Sequence, residues 1–193
     1  AINPGVYETF DLANFLRNKK SVKAICKKNS ISYRIENNVN NNNFISYISK
    51  LNIDLIVSFS APSIFKNKLL SLPSKGCINL HCSLLPKYSG ILPSFWALYY
   101  DEKFTGATVH YMDDEIDNGD ILGQFKVEIM DTDSMFDIIK KTKKAGGKLM
   151  IDVINDINNN NVKLIKNKVE KENYYSWPSD SEFKNFAKKR KLI

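Results

Sequence analysis

The chain has 193 residues, 43% of them hydrophobic and 25% charged, which fits a globular domain with a full core and excludes a disordered polymer. No apolar run approaches the length of a membrane span. The formal net charge of +7 suits an anionic partner, either a phosphorylated or polyglutamylated small molecule or a nucleic acid, although a chain rich in lysine and asparagine carries such charge without one.

In chain order, "AINPGVYETF" has neither the basic start nor the apolar centre of a signal peptide. The three cysteines, Cys26, Cys77 and Cys82, form no framework pattern and read as free thiols in a reducing compartment, so a cytoplasmic location is expected. Residues 11–29 are helix-like, and "ISYRI" (31–35) reads as a short strand. "ENNVNNNNF" (36–44) reads as a surface connection ending in a helix cap, because Asn favours turns and N-caps. Residues 43–51 place Phe44, Tyr47, Ile48 and Leu51 at helical spacing. "IDLIVSFS" (53–60) and "GCINLHC" (76–82) read as buried strands, separated by a short helix over 62–70 with Pro62 in its first turn. Strands alternating with helices predict an α/β fold with parallel βαβ units.

The second half changes character. "TGATVHYM" (105–112) and "GDILGQFKVEI" (119–129) flank an acidic loop too short for a crossover helix, which predicts an antiparallel or bulged pair. A long helix follows from about residue 134, with Ser134 and Asp137 as a capping box. Its apolar face runs from Met135 to Ile157, and Lys140, Lys141, Lys143 and Lys144 lie on a wet face. "NVKLIKN" (161–167) suggests a last strand. "YYSWPSDSEFKNFAKKR" reads as an aromatic cluster and then a short basic helix, and the basic "KNFAKKRKLI" at the end reads as a solvated tail rather than a binding element. No Gly-rich phosphate loop is read in the sequence, and residues 1–10 open without a strand–Gly–helix unit: either the fold does not use one, or this chain is expected to start after it.

Two residues break the apolar pattern of "GCINLHC". Residues i and i+2 of a strand share a face, so Asn79 and His81 project together, while Ile78, Leu80 and Cys82 project oppositely. They stand at the carboxyl end of a parallel strand, where ligands of open α/β sheets bind. In the acidic loop, Asp117 follows apolar Ile116 and precedes "NG", a tight-turn signal, whereas Asp113, Asp114, Glu115 and Asp120 read as solvated. An amide donor, an imidazole and a carboxylate suit acyl transfer. The two histidines, His81 and His110, with no CxxC or HExxH spacing, predict no metal site. A cysteine nucleophile is disfavoured because Cys82 faces away from His81.

"INLHCSLLPKYSGILPSFWAL" and "TGATVHYMDDEIDNGDIL" resemble the two signatures of the 10-formyltetrahydrofolate-dependent formyltransferases, which act on glycinamide ribonucleotide, methionyl-tRNA or amino-sugar nucleotides. The resemblance covers about residues 22–165. It implies a Rossmann-like formyltransferase fold, with a mostly parallel sheet and an antiparallel C-terminal part, and a division into a catalytic domain (1–165) and a tail (166–193). It also implies that Asn79, His81 and Asp117 are catalytic, with protonated His81 and Asn79 stabilising the oxyanion. Ser83, Leu84, Leu85 and Pro86 would lie beside the donor, 10-formyltetrahydrofolate. His110 would contact the acceptor or stay structural. Ser89 stands where the family usually has arginine. The expected acceptor is a small primary amine such as an amino-sugar nucleotide, with methionyl-tRNA second, because the tRNA-binding barrel of some relatives is absent. An inactive folate- or nucleotide-binding module is the reading from another class.

Overall fold

The structure is a computed structural model that describes residues 22–189. It divides into two units at residue 37. In the first, α1 (Val22–Lys28) is followed by extended chain with no strand over 31–35. The "ISYRI" strand expected there is absent: Ile31, Tyr33 and Ile35 are exposed, and among the described residues no strand pairs with them. The part of the expected 11–29 helix before residue 22 lies outside the described residues.

The second unit opens with α2 (Asn42–Ser49), capped by Asn41, whose side chain accepts from Phe44 N at 2.7 Å. Asn40 ties the connection down, donating to Ile64 O and accepting from Lys66 N, each at 2.8 Å. β1 (Ile56–Phe59), α3 (Asn67–Leu70) and β2 (Cys77–His81) follow. The helix expected over 62–70 shrinks to four residues, and Pro62 lies in a bend before it.

β1 was expected to be a buried strand. Instead Val57 and Phe59 are exposed, because β1 is the edge of the described sheet and pairs only with β2. A two-residue strand, β3 (Ser89–Gly90), and α4 (Pro93–Tyr99) lead into β4 (Phe104–Tyr111) and β5 (Ile121–Glu128). The main sheet has the order β1-β2-β4-β5: β1 and β2 are parallel, and β2–β4 and β4–β5 are antiparallel. The antiparallel part thus begins one strand before the expected hairpin. A bulge interrupts the β4–β5 register at Val109/His110.

α5 (Met135–Asn158) carries the expected capping box of Ser134 and Asp137. It covers the sheet face formed by Ile78, Leu80, Ala107 and Val109, burying Met150, Val153 and Ile157 against them. A second core joins α4 and α5 to the C-terminal segment, where Phe95, Ile138 and Phe186 are all 0% exposed. Phe186, on α6 (Asp180–Lys189), is fully buried in this core, so the basic stretch that begins at Lys184 is not wholly solvated. The strand expected over 161–167 reduces to one antiparallel bridge, Ile165 with Ile121. Farther on, β6 (Tyr174–Tyr175) pairs in parallel with β3.

Candidate active site

The period of a strand places Asn79 and His81 on one face of β2. The antiparallel register sets His110 of β4 directly opposite Asn79. The turn after β4 then brings Asp117 over both histidines. Its Oδ2 lies 3.3 Å from His81 Nδ1, and its Oδ1 lies 3.5 Å from His110 Nε2. The three residues singled out as catalytic therefore converge, and His110 joins them.

Local backbone makes this possible. Asp117 sits at φ 53°, a left-handed conformation that Asp and Asn tolerate better than most residues. A Cβ on Gly119 would fall 2.0 Å from Tyr111 O, so only glycine lets the turn close on the strand. Gly90 at φ 94° donates its N–H to Asp117 Oδ2 at 2.8 Å.

The hydrogen bonds assign ring nitrogens and amide orientation. His81 Nε2 lies 2.8 Å from Tyr88 O, an acceptor only, so Nε2 carries the proton and Nδ1 faces the Asp117 carboxylate. His110 Nδ1 lies 2.7 Å from Tyr111 O and donates to it, which leaves Nε2 to accept from Asn79 Nδ2 at 3.2 Å. The second N–H of Asn79 remains for a ligand. His110 is 2% exposed. Its Nε2 lies beneath both Asn79 and Asp117.

Burial lowers the His81 pKa from the ordinary imidazole range, and the facing carboxylate opposes that shift. Burial pushes the Asp117 carboxyl up, but His81, His110 and the Gly90 N–H together hold it below the usual range. Burial also raises Cys82, disfavouring the thiolate there.

The 83–86 loop is held from beneath. Thr108 Oγ1 donates to Ser83 O at 2.7 Å and accepts from Leu85 N at 3.1 Å and Gln124 Nε2 at 3.0 Å. Gln124 Nε2 also donates to Leu85 O at 2.8 Å. Ser83 Oγ donates to Lys87 O at 2.6 Å. Ser83 and Leu85 are buried, Leu84 is half-buried and Pro86 is exposed. Ser89, in the position where relatives usually carry arginine, is fully buried and donates to Asn173 O at 3.1 Å. Sequence reasoning missed Thr108, Gln124 and Asn167. Their only signal was a polar side chain inside an apolar strand or, for Asn167, none at all. Among the described residues no His/Cys/Asp/Glu cluster is arranged to hold a metal ion. A groove of about 590 Å³ between β5 and α5, lined by Phe125, Met130, Lys141, Lys144 and Lys148 among others, contains none of the clustered residues.

Mixed sheet, covering helix and a buried His–Asp pair at the end of β2 define a Rossmann-like α/β domain of the formyltransferase type. The formyl transferase family model matches residues 9–154, and the chain belongs to that family. It is 42% identical over 121 residues to the bifunctional polymyxin resistance protein ArnA of Wigglesworthia glossinidia brevipalpis, covering 63% of this chain and 18% of that protein. It is 36% identical over 132 residues to methionyl-tRNA formyltransferase of Clostridium tetani, covering 68% of this chain and 43% of that one. The chain thus spans less than half the length of either relative.

Among solved structures, a 4-N formyltransferase from Francisella tularensis superposes with a TM-score of 0.64 at 30% identity, over 88% of this chain and 64% of that one. The formyltransferase PseJ of Anoxybacillus kamchatkensis, in complex with UDP-4,6-dideoxy-4-formamido-L-AltNAc and tetrahydrofolate, shares the fold with a TM-score of 0.65 at 21% identity. That match covers 81% of this chain and 82% of that one.

Proposed function

We propose that this chain catalyses transfer of a formyl group from 10-formyltetrahydrofolate to the primary amine of an amino-sugar nucleotide. The observation that carries the reading is the buried pair of His81 Nδ1 and Asp117 Oδ2, 3.3 Å apart beside Asn79. Folate as the donor is supported by the tetrahydrofolate in the PseJ complex, and a sugar-nucleotide acceptor by the formamido-sugar nucleotide bound there.

The donor lies against the 83–86 loop. Leu84 and Pro86 supply its accessible wall, while Ser83 and Leu85 hold the loop in shape. The neutral amine attacks the formyl carbon, forming a C–N bond, and the carbonyl electrons move to oxygen. The free N–H of Asn79 donates to that oxyanion, a contact worth roughly 3–4 kcal/mol in comparable sites. The amine's proton passes, directly or through water, to His81 Nδ1. The resulting imidazolium is stabilised by Asp117. The bond from carbon to the folate nitrogen then breaks, and that nitrogen takes the proton. The products are a formamide and tetrahydrofolate.

Methionyl-tRNA is the second reading, favoured by the methionyl-tRNA formyltransferase of Clostridium tetani and by the net charge of +7. The protein is incubated with 10-formyltetrahydrofolate and, separately, nucleotide-linked amino sugars, glycinamide ribonucleotide and methionyl-tRNA. A formamido-sugar product is expected. Formylation of methionyl-tRNA alone overturns the acceptor, and transfer to none of them overturns the activity.

A further inference from the structure

Asp117 occupies a disfavoured backbone conformation at the tip of a turn, so something must hold it there. Its own side-chain contacts cannot, because they are the working groups. The holding comes from a distant stretch of chain. Asn167, 9% exposed, donates through Nδ2 to Asp117 O at 2.7 Å and to Gly119 O at 3.2 Å. Two residues on, Val169 N donates to Asn118 Oδ1 at 3.0 Å. Just before it, Ile165 and Ile121 exchange backbone hydrogen bonds at 2.8 and 2.9 Å.

The same stretch continues to the other side of the site. Asn173 O accepts from Ser89 Oγ, Tyr175 O from Ile91 N at 2.8 Å, and Ser176 O from Trp96 Nε1 at 3.2 Å. One continuous segment, 165–176, therefore grips both loops that meet at the hydrogen bond from Gly90 N to Asp117 Oδ2.

We infer that Asn167 is a positioning residue, which acts through the backbone of Asp117 to aim its carboxylate at His81. The inference deepens the formyl-transfer reading and rests on it for its catalytic consequence. The interaction between two groups this close in a buried site depends steeply on their separation. A turn released from Asn167 lets the carboxylate drift, and His81 then holds a proton less well.

The ionisable groups around the pair are few. Asp117 faces His81 from β2 and His110 from β4. On its own turn, Glu115 is bonded to Asn118, and Asp120 is paired with Lys166 of the holding segment. Lys168 is paired with Glu170.

With only two histidines in the chain, proton NMR resolves their ring Cε1–H signals, assigned with His110→Gln. The experiment compares Asn167→Ala with the wild type over pH 4–9. The expected result is a His81 titration midpoint lowered by at least about half a pH unit. An unchanged His81 midpoint in a folded variant overturns the inference. If Asn167→Ala does not fold, Asn167→Ser, whose short hydroxyl cannot span both carbonyls, is read for the same shift. This measurement needs neither donor nor acceptor, so it stands or falls separately from formyl transfer. In the transfer assay, kcat falls at least about tenfold while the KM for 10-formyltetrahydrofolate stays within about threefold.

Discussion

Two loops meet over the end of β2, and they are held in different ways. The 83–86 loop is stapled from within the sheet by Thr108 and Gln124, on strands that already pair beside it. The 113–119 turn hangs from Asn167, on a segment far along the chain with almost no regular structure of its own. The first loop inherits the rigidity of the sheet. The second is only as well placed as the segment that grips it. The proposed roles fit this contrast: a stiff loop as the wall for the donor, and a gripped turn carrying the carboxylate that faces His81.

The largest effect expected is on turnover. His81→Ala and Asp117→Asn should each lower kcat by about 100- to 1,000-fold with unchanged circular dichroism. Losses below tenfold would break the assignment of both residues to the reaction. Next come the supports of each loop, measured by denaturant unfolding. Thr108→Val removes the hydroxyl that joins Ser83, Leu85 and Gln124 and should cost about 1–3 kcal/mol. It should also raise the KM for 10-formyltetrahydrofolate while leaving the His81 midpoint in place. A shifted His81 midpoint in Thr108→Val would erase the distinction between the two loops.

The pH dependence of stability sharpens the same contrast. The folded pKa of Asp117 is held below its usual value. Its stabilising contribution is therefore present above the ordinary carboxylate pKa and is lost as pH falls through the lowered folded value. His81, lowered by burial, adds to the loss in acid, because the unfolded chain binds its proton first. Melting curves of wild type and Asp117→Asn should converge as the pH drops below about 4, and a gap that widens there would contradict the sign. The smallest effect belongs to Lys166→Ala. Its ion pair with Asp120 involves a lysine side chain 89% exposed, so stability should move by no more than about 0.5 kcal/mol.

Reading residues in order was informative wherever the signal was local. Asn41 as a cap and Ser134–Asp137 as a capping box needed only their neighbours. The same-face placement of Asn79 and His81 needed only the two-residue period of a strand, and the turn signal around Asp117 needed only "DNG". Errors arose where neighbours decide. "ISYRI" has strand composition but, among the described residues, no strand that pairs with it. "IDLIVSFS" reads as a buried strand, yet it lies at the edge of the described sheet with Val57 and Phe59 exposed. The C-terminal aromatic residues carry no mark of their partners, and only packing against α4 shows that Phe186 belongs to the core.

Two motifs were thus sufficient for the family, and periodicity for the α/β alternation and for singling out Asn79, His81 and Asp117, which the structure brings together. These depend on residue type and short-range spacing, which the order of residues records directly. Tertiary structure alone decided that His110 lies under Asn79, that burial pushes the His81 pKa down while its neighbours hold that of Asp117 low, and that Ser89 turns to Asn173. It also decided that Asn167 holds the turn. Each of these is a contact between residues distant in sequence, or a consequence of desolvation, and neither exists until the chain has folded.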